Sequence, residues 1–395
     1  MTQQSQIQTK SVSTISLKRL LKQTHKILGI VFCIPIVIIG VTGAALSYSN
    51  ELSRLELNYL EKNKSGEVLS VERTLQRFLE QRPNAKLHVL GYDGENEPLG
   101  IRASFDKEKA DPSDIYTLYK GTLGFYSVSR YDGEILPAFS DRLFRAITLL
   151  HVSLDYSTED RGEIGEEVVA ISTLVIVLLS IMGLYFYIPM LKRNFSRNMK
   201  IDLKSKGHAF WYKLHSVTGV YTFAFVLLMS LSGLYFTYDW VRTLFHGLIG
   251  YESEPYEIVE RVERIPKPFD FDETVKAFQI AIDNMPKGNN FLFWIPDKMN
   301  EPYSAAYKKR DYNGYGGADN INIDMQNNAI KYNSYSDEPI KEKILSSISQ
   351  LHYGTFFGEI GKALWCVSSL SMALFGVSGI MMFYRRNKKT ARAPQ

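Results

Sequence analysis

Residues 25–50 read HKILGIVFCIPIVIIGVTGAALSYSN, and residues 215–238 read HSVTGVYTFAFVLLMSLSGLYFTY. Laid over each other from His25 and His215, Gly29 falls on Gly219, Gly43 on Gly233 and Tyr48 on Tyr238, with no gap. From residue 27 to 50 and from 214 to 238 there is no Asp, Glu, Lys or Arg. A helix needs about 20 apolar residues to cross the hydrocarbon core of a bilayer, so both stretches are long enough to span. Residues 168–191 and 363–384 are uncharged in the same way. These two also align, because Gly162-Glu163-Ile164-Gly165 repeats as Gly358-Glu359-Ile360-Gly361. Gly183 then falls on Gly379 downstream, and upstream, across a gap of five residues, Leu150-His151 matches Leu351-His352.

The outer segments repeat in outline. Residues 71–82 and 271–285 have the apolar spacing of amphipathic helices. Each is followed by short β-like runs, 86–92 and 99–105 in the first segment, 290–295 and 303–307 in the second. The expected fold is therefore membrane α-helical. It is a four-helix transmembrane bundle made of two tandem repeats, with two extracytoplasmic α+β domains. Both repeats have the same orientation.

Charge gives the sidedness. Residues 1–26, 192–213 and 385–395 together hold 17 Lys and Arg against one Asp, a charge of +16, so the remainder carries −12 within a total of +4. Basic flanks stay on the cytoplasmic side. The expected order is a cytoplasmic segment 1–26, helix 27–50, periplasmic domain 51–167, helix 168–191, cytoplasmic loop 192–213, helix 214–238, periplasmic domain 239–362, helix 363–384 and cytoplasmic tail 385–395. Trp211, Trp240 and Trp365 lie at run boundaries, where an indole suits the interface. The averages over all 395 residues, 45% hydrophobic and 22% charged, hide this partition but exclude a disordered chain and a strongly basic nucleic-acid binder. Two cysteines exclude a disulfide scaffold and a cysteine-rich metal protein.

Four of the seven histidines fall on equivalent positions, His25 with His215 and His151 with His352. A pseudo-two-fold axis along the bundle would set each pair face to face, one pair near the inner surface and one near the outer. Paired neutral imidazoles suit one metal centre, and haem iron takes axial histidine. Gly29 and Gly219, one helical turn past the inner histidines, would leave room for a flat macrocycle. There is no Cys-x-x-Cys-His, so the expected cofactor is non-covalent haem b, two per chain. His208, His246 and His88 have no such pairing and are expected to be structural, with His208, seven residues before His215 on a similar face, as an alternative ligand.

With four such helices, the His25 and His215 starts, the Leu-x-x-His segments ahead of Gly-Glu-Ile-Gly and two outer α+β units, the chain resembles the PepSY-associated transmembrane family over roughly residues 16–388. The resemblance implies PepSY-like outer domains, a bacterial inner-membrane location and axial ligation by His25, His215, His151 and His352. Members include ferric-siderophore reductases and iron-uptake factors, which implies electron transfer from the cytoplasmic side to a periplasmic ferric siderophore, releasing Fe(II). The donor would be a quinol or a separate cytoplasmic reductant. Two alternatives are a haem electron-transfer subunit for another periplasmic acceptor, and a haem-free accessory factor or permease for siderophore uptake. Tyr303, Tyr307, Tyr312 and Tyr315, with glycines among them, form a candidate docking surface for a bulky amphipathic ligand. The alternative for these tyrosines is an ordinary β-hairpin.

Overall fold

The computed structural model describes residues 17–106, 117–118, 123–154, 163–251, 267–284, 290–307 and 318–390. Three straight helices are long and apolar enough to cross a membrane: α6 (Glu163–Arg193), α8 (His208–Thr237) and α13 (Gly358–Thr390). The first span departs from expectation. Instead of one helix over 27–50, α1 (Leu17–Val31) and α2 (Cys33–Leu46) meet at Phe32 with a 66° bend. Pro35 explains the break. It has no N–H to give the carbonyl four residues back, and its ring crowds that carbonyl. The position 190 residues later holds Phe225, and α8 runs through it unbroken. In the bundle α2 packs on α13, α6 on α8, and α8 on α13.

Short helices frame the spans. On one side lie α3 (Ser49–Glu61), α5 (Phe139–Ser153), α9 (Asp239–Leu248), α11 (Ile340–Ser346) and α12 (Ile348–Tyr353), and on the other α7 (Phe195–Asn198). Lys213 fastens α7 to the bundle, its Nζ donating to Tyr187 Oη at 3.1 Å and to the Asn198 carbonyl at 3.2 Å. Trp365 is not interfacial. It is 2% exposed and packs on Phe225 and Phe357, while Trp240 is exposed.

The outer segments differ from expectation in one respect: they are not two separate domains. Their strands are β1 (Lys86–Tyr92), β2 (Leu99–Ser104), β3 (Thr117–Leu118), β4 (Leu123–Val128), β5 (Phe291–Trp294), β6 (Tyr303–Tyr307), β7 (Asp319–Asp324) and β8 (Ala329–Asn333). All eight join one antiparallel sheet in the order β3-β4-β2-β1-β5-β6-β7-β8. The join is β1 against β5, with Val89 opposite Trp294 and Gly91 opposite Leu292. Each half alone would leave an unpaired edge there, and pairing the edges satisfies both. Helices α4 (Val71–Gln81) and α10 (Phe271–Asp283), capped by Ser70 and Asp270, cover one face. Leu75, Phe78, Leu90, Ile101, Phe278, Phe293 and Ile321 form a single core across the join. The alternation of buried and open side chains along β2, β5 and β7 follows the two-residue period of the pleat.

Candidate cofactor site: two facing histidine pairs

The bundle brings the four repeat-aligned histidines together as two pairs. At the end away from the sheet, His25 on α1 faces His215 on α8 with ring centroids 6.4 Å apart. At the sheet end, His151 faces His352 with centroids 6.3 Å apart. Both sheet-end histidines sit in the last turn of a short helix that stops at a left-handed residue, Leu154 (φ 51°) after α5 and Gly354 (φ 76°) after α12. Such a stop ends each helix just past its histidine. It requires glycine at 354, where a Cβ would lie 2.5 Å from Trp365 Cγ.

Hydrogen bonds fix the tautomers. His151 Nδ1 lies 3.1 Å from the Ile39 carbonyl and 3.0 Å from Thr42 Oγ1. Thr42 already donates its own proton to the Ile38 carbonyl at 2.6 Å. Both neighbours can then only accept, so Nδ1 carries the hydrogen and Nε2 keeps its lone pair. His352 repeats this arrangement, with Nδ1 3.0 Å from both the Met229 carbonyl and Ser232 Oγ. Ile39 and Thr42 precede Met229 and Ser232 by 190 residues, the offset of the helix alignment. His215 Nδ1 lies 2.8 Å from Ser378 Oγ, whose proton goes to the Leu374 carbonyl at 2.6 Å. Three of the four rings therefore keep an Nε2 lone pair. The fourth, His25, has a buried Nδ1 with no hydrogen-bond partner.

The geometry fits one metal ion per pair. Two imidazoles bound at about 2.0–2.1 Å per metal–nitrogen bond place their centroids roughly 6 Å apart. Among the described residues no group of three or more His, Cys, Asp or Glu could hold an ion. Each pair thus offers two ligands, the number that axial ligation of a haem iron takes. Space agrees. A Cβ on Gly29 would meet nothing within 4 Å, and one on Gly219 only the Phe375 ring edge at 3.9 Å. Glycines 43 and 233 lie directly against the sheet-end rings, where added Cβ atoms would fall 3.0 Å from His151 Cε1 and 3.3 Å from His352 Cε1. Gly183 plays the same part beside His25, at 3.6 Å.

The sequence model of the PepSY-associated TM region matches residues 22–386, nearly the whole chain. The chain belongs to this family. No curated protein matches it. The residues matched by this PepSY-associated model include both histidine pairs.

The remaining site residues fare unequally. Tyr303 is 1% exposed, stacks on Phe293 and bonds to Thr274 Oγ1, so it cannot touch a docked ligand. Strand alternation turns it inward, and burial pushes its hydroxyl pKa up to about 12. Tyr307 lies on β6 opposite Phe291 and Asp319. Tyr312 and Tyr315 lie outside the described residues. His246 bonds Tyr235 Oη at 3.0 Å, His88 bonds Ser104 Oγ at 2.6 Å, and His208 is exposed at the start of α8. Sequence reasoning missed Thr42, Ser232 and Ser378. The first two were detectable as hydroxyls at the same 190-residue offset. Also unforeseen is Lys362, buried at the foot of α13 and ion-paired with Glu51 and Glu359.

Proposed function

We propose that this protein is a di-haem b reductase of the bacterial inner membrane that passes electrons to Fe(III) in a periplasmic ferric siderophore and releases Fe(II). The observation that carries this reading is the pair of facing imidazoles at each end, with Nδ1 anchored on three rings and Nε2 of those rings keeping its lone pair. Bound haem would supply a one-electron couple that needs no acid or base from the protein. His25, His215, His151 and His352 would hold it. Thr42, Ser232, Ser378 and the carbonyls of Ile39 and Met229 orient the rings, a role such outer partners play at metal sites generally. Between the two levels, Ile36, Val175, Ile176, Val226 and Met372 form a dry apolar cluster. Water and ions are excluded there, while electrons need no polar path. The basic flanks at residues 1–26, 192–213 and 385–395 favour that end as cytoplasmic and the sheet as periplasmic. The donor at the cytoplasmic face would be a quinol or a soluble reductant.

An absorption spectrum of the purified chain, oxidised and then reduced, tests the reading. A sharp Soret band with low-spin reduced bands and two haems per chain is expected. A colourless protein from haem-replete cells would refute it. Addition of a ferric siderophore to the pre-reduced protein should restore the oxidised spectrum. Failure to do so, with haem present, would assign the chain to another periplasmic acceptor.

A further inference from the structure

The partners of the four Nδ1 atoms are unequal between the two ends of the bundle. At the sheet end both rings donate to a backbone carbonyl and have a hydroxyl 3.0 Å away as well. At the other end His215 has only the Ser378 hydroxyl, and the buried His25 Nδ1 has nothing. The alignment shows why. The offset between the second and fourth spans, 196 residues, places Met182 where Ser378 stands. A thioether is a weak acceptor, so the ring that should mirror His215 is left without a partner.

A ring N–H bonded to an acceptor makes the opposite nitrogen a stronger donor to a metal. A stronger donor favours oxidised over reduced iron, and such hydrogen bonding is one of the levers a protein has on haem potential. Charge acts in the same direction. Lys26 adjoins His25, and Arg385 and Arg386 lie in the last part of α13 at the same end. Nearby cations favour the reduced, less positive iron. Resting on the haem assignment above, we propose that the His151–His352 centre has the lower potential and the His25–His215 centre the higher. Positions 378 and 182 set the level of the higher centre as positioning residues. Outward transfer would oxidise Fe(II) to Fe(III) at His25–His215 and reduce Fe(III) to Fe(II) at His151–His352, with no proton moved. That step runs against the gap. An inside-negative membrane potential favours outward movement of negative charge and offsets it.

The test is an anaerobic potentiometric titration of the haem-loaded full chain, followed by absorption. The wild type should show two one-electron components. Ser378→Ala should raise the higher component, and Met182→Ser, which supplies the missing acceptor, should lower that same component. A tenfold change in the reduced-to-oxidised ratio at either variant is a shift of about 59 mV for a one-electron couple. The lower component should stay in place in both. Two bound haems whose higher component ignores both substitutions, or whose lower component is the one that moves, would overturn the assignment of levels. A chain that binds no haem would instead defeat the function proposed above.

Discussion

Replacing Gly29 and Gly219 by alanine should affect the haem-free and haem-loaded proteins in opposite directions. Gly219 lies in a helix interior and Gly29 in the last turn of α1, and the added methyl groups meet nothing closer than the Phe375 ring edge at 3.9 Å. Without cofactor, the change at Gly219 removes a helix-weakening glycine, a gain of about 0.5–1 kcal/mol, and the change at Gly29 adds less because it lies at the helix end. The two sites lie on different helices, so the two effects add. If a macrocycle lies between His25 and His215, however, it must use this open space, and the methyl groups will displace it. The expected outcome is a higher melting temperature for the haem-free double variant and one haem per chain where the wild type carries two. Gly43→Ala is the contrasting case. Its methyl would lie 2.8 Å from Ser369 Oγ and 3.0 Å from His151 Cε1, so the haem-free protein should already be weakened. A double variant that keeps two haems with unchanged bands would refute the placement of a cofactor beside Gly29 and Gly219.

His25→Ala or His215→Ala should each remove one haem, and His151→Ala or His352→Ala the other, as read by pyridine haemochrome content; loss of both from any single change would count against separate centres. Gly354→Ala forces alanine to φ 76° and against Trp365, costing about 1–2 kcal/mol of backbone strain and about 1–3 kcal/mol of overpacking, and thermal melting should show it together with loss of the sheet-end haem. Pro35→Ala restores a backbone donor at the bend, which should straighten the first span, move His25 off His215 and lower haem content at that end alone. Burial, with Lys86 and Arg102 adding to it, holds the His88 pKa below its ordinary 6.5. The unfolded chain then binds this proton more readily than the folded one, so stability is full above about pH 6.5 and falls as pH drops below it; a His88→Gln variant should flatten that part of the melting profile.

The membrane helices were legible because hydrocarbon imposes a length and a composition that no soluble helix needs. The histidine pairing was legible because two copies of a unit carry the same residue at equivalent positions, 190 residues apart for His25 and His215 and 201 apart for His151 and His352. What escaped the sequence depends on contacts between copies. Nothing in residues 86–92 or 291–294 announces that these two strands pair with each other, since either could have met solvent or another edge. The inward turn of Tyr303 was hidden for a different reason: a tyrosine in a strand suits either face, and only the α10 side of the sheet decides. The bend at Phe32 is legible in Pro35, the position at which the first span has no backbone N–H and the third span has Phe225.

The β1–β5 join has a mechanical meaning. A carrier that works by rocking one half against the other needs those halves to part, and its outer domains must part with them. Here the four register pairs from Val89–Trp294 to Tyr92–Phe291 and the shared core beneath stitch the outer parts of both halves into one plate. The spans are thus bolted to a common frame at one end, and separating them would tear a sheet down its middle. Such a frame holds distances constant, which serves transfer between fixed centres and hinders any cycle of alternating access.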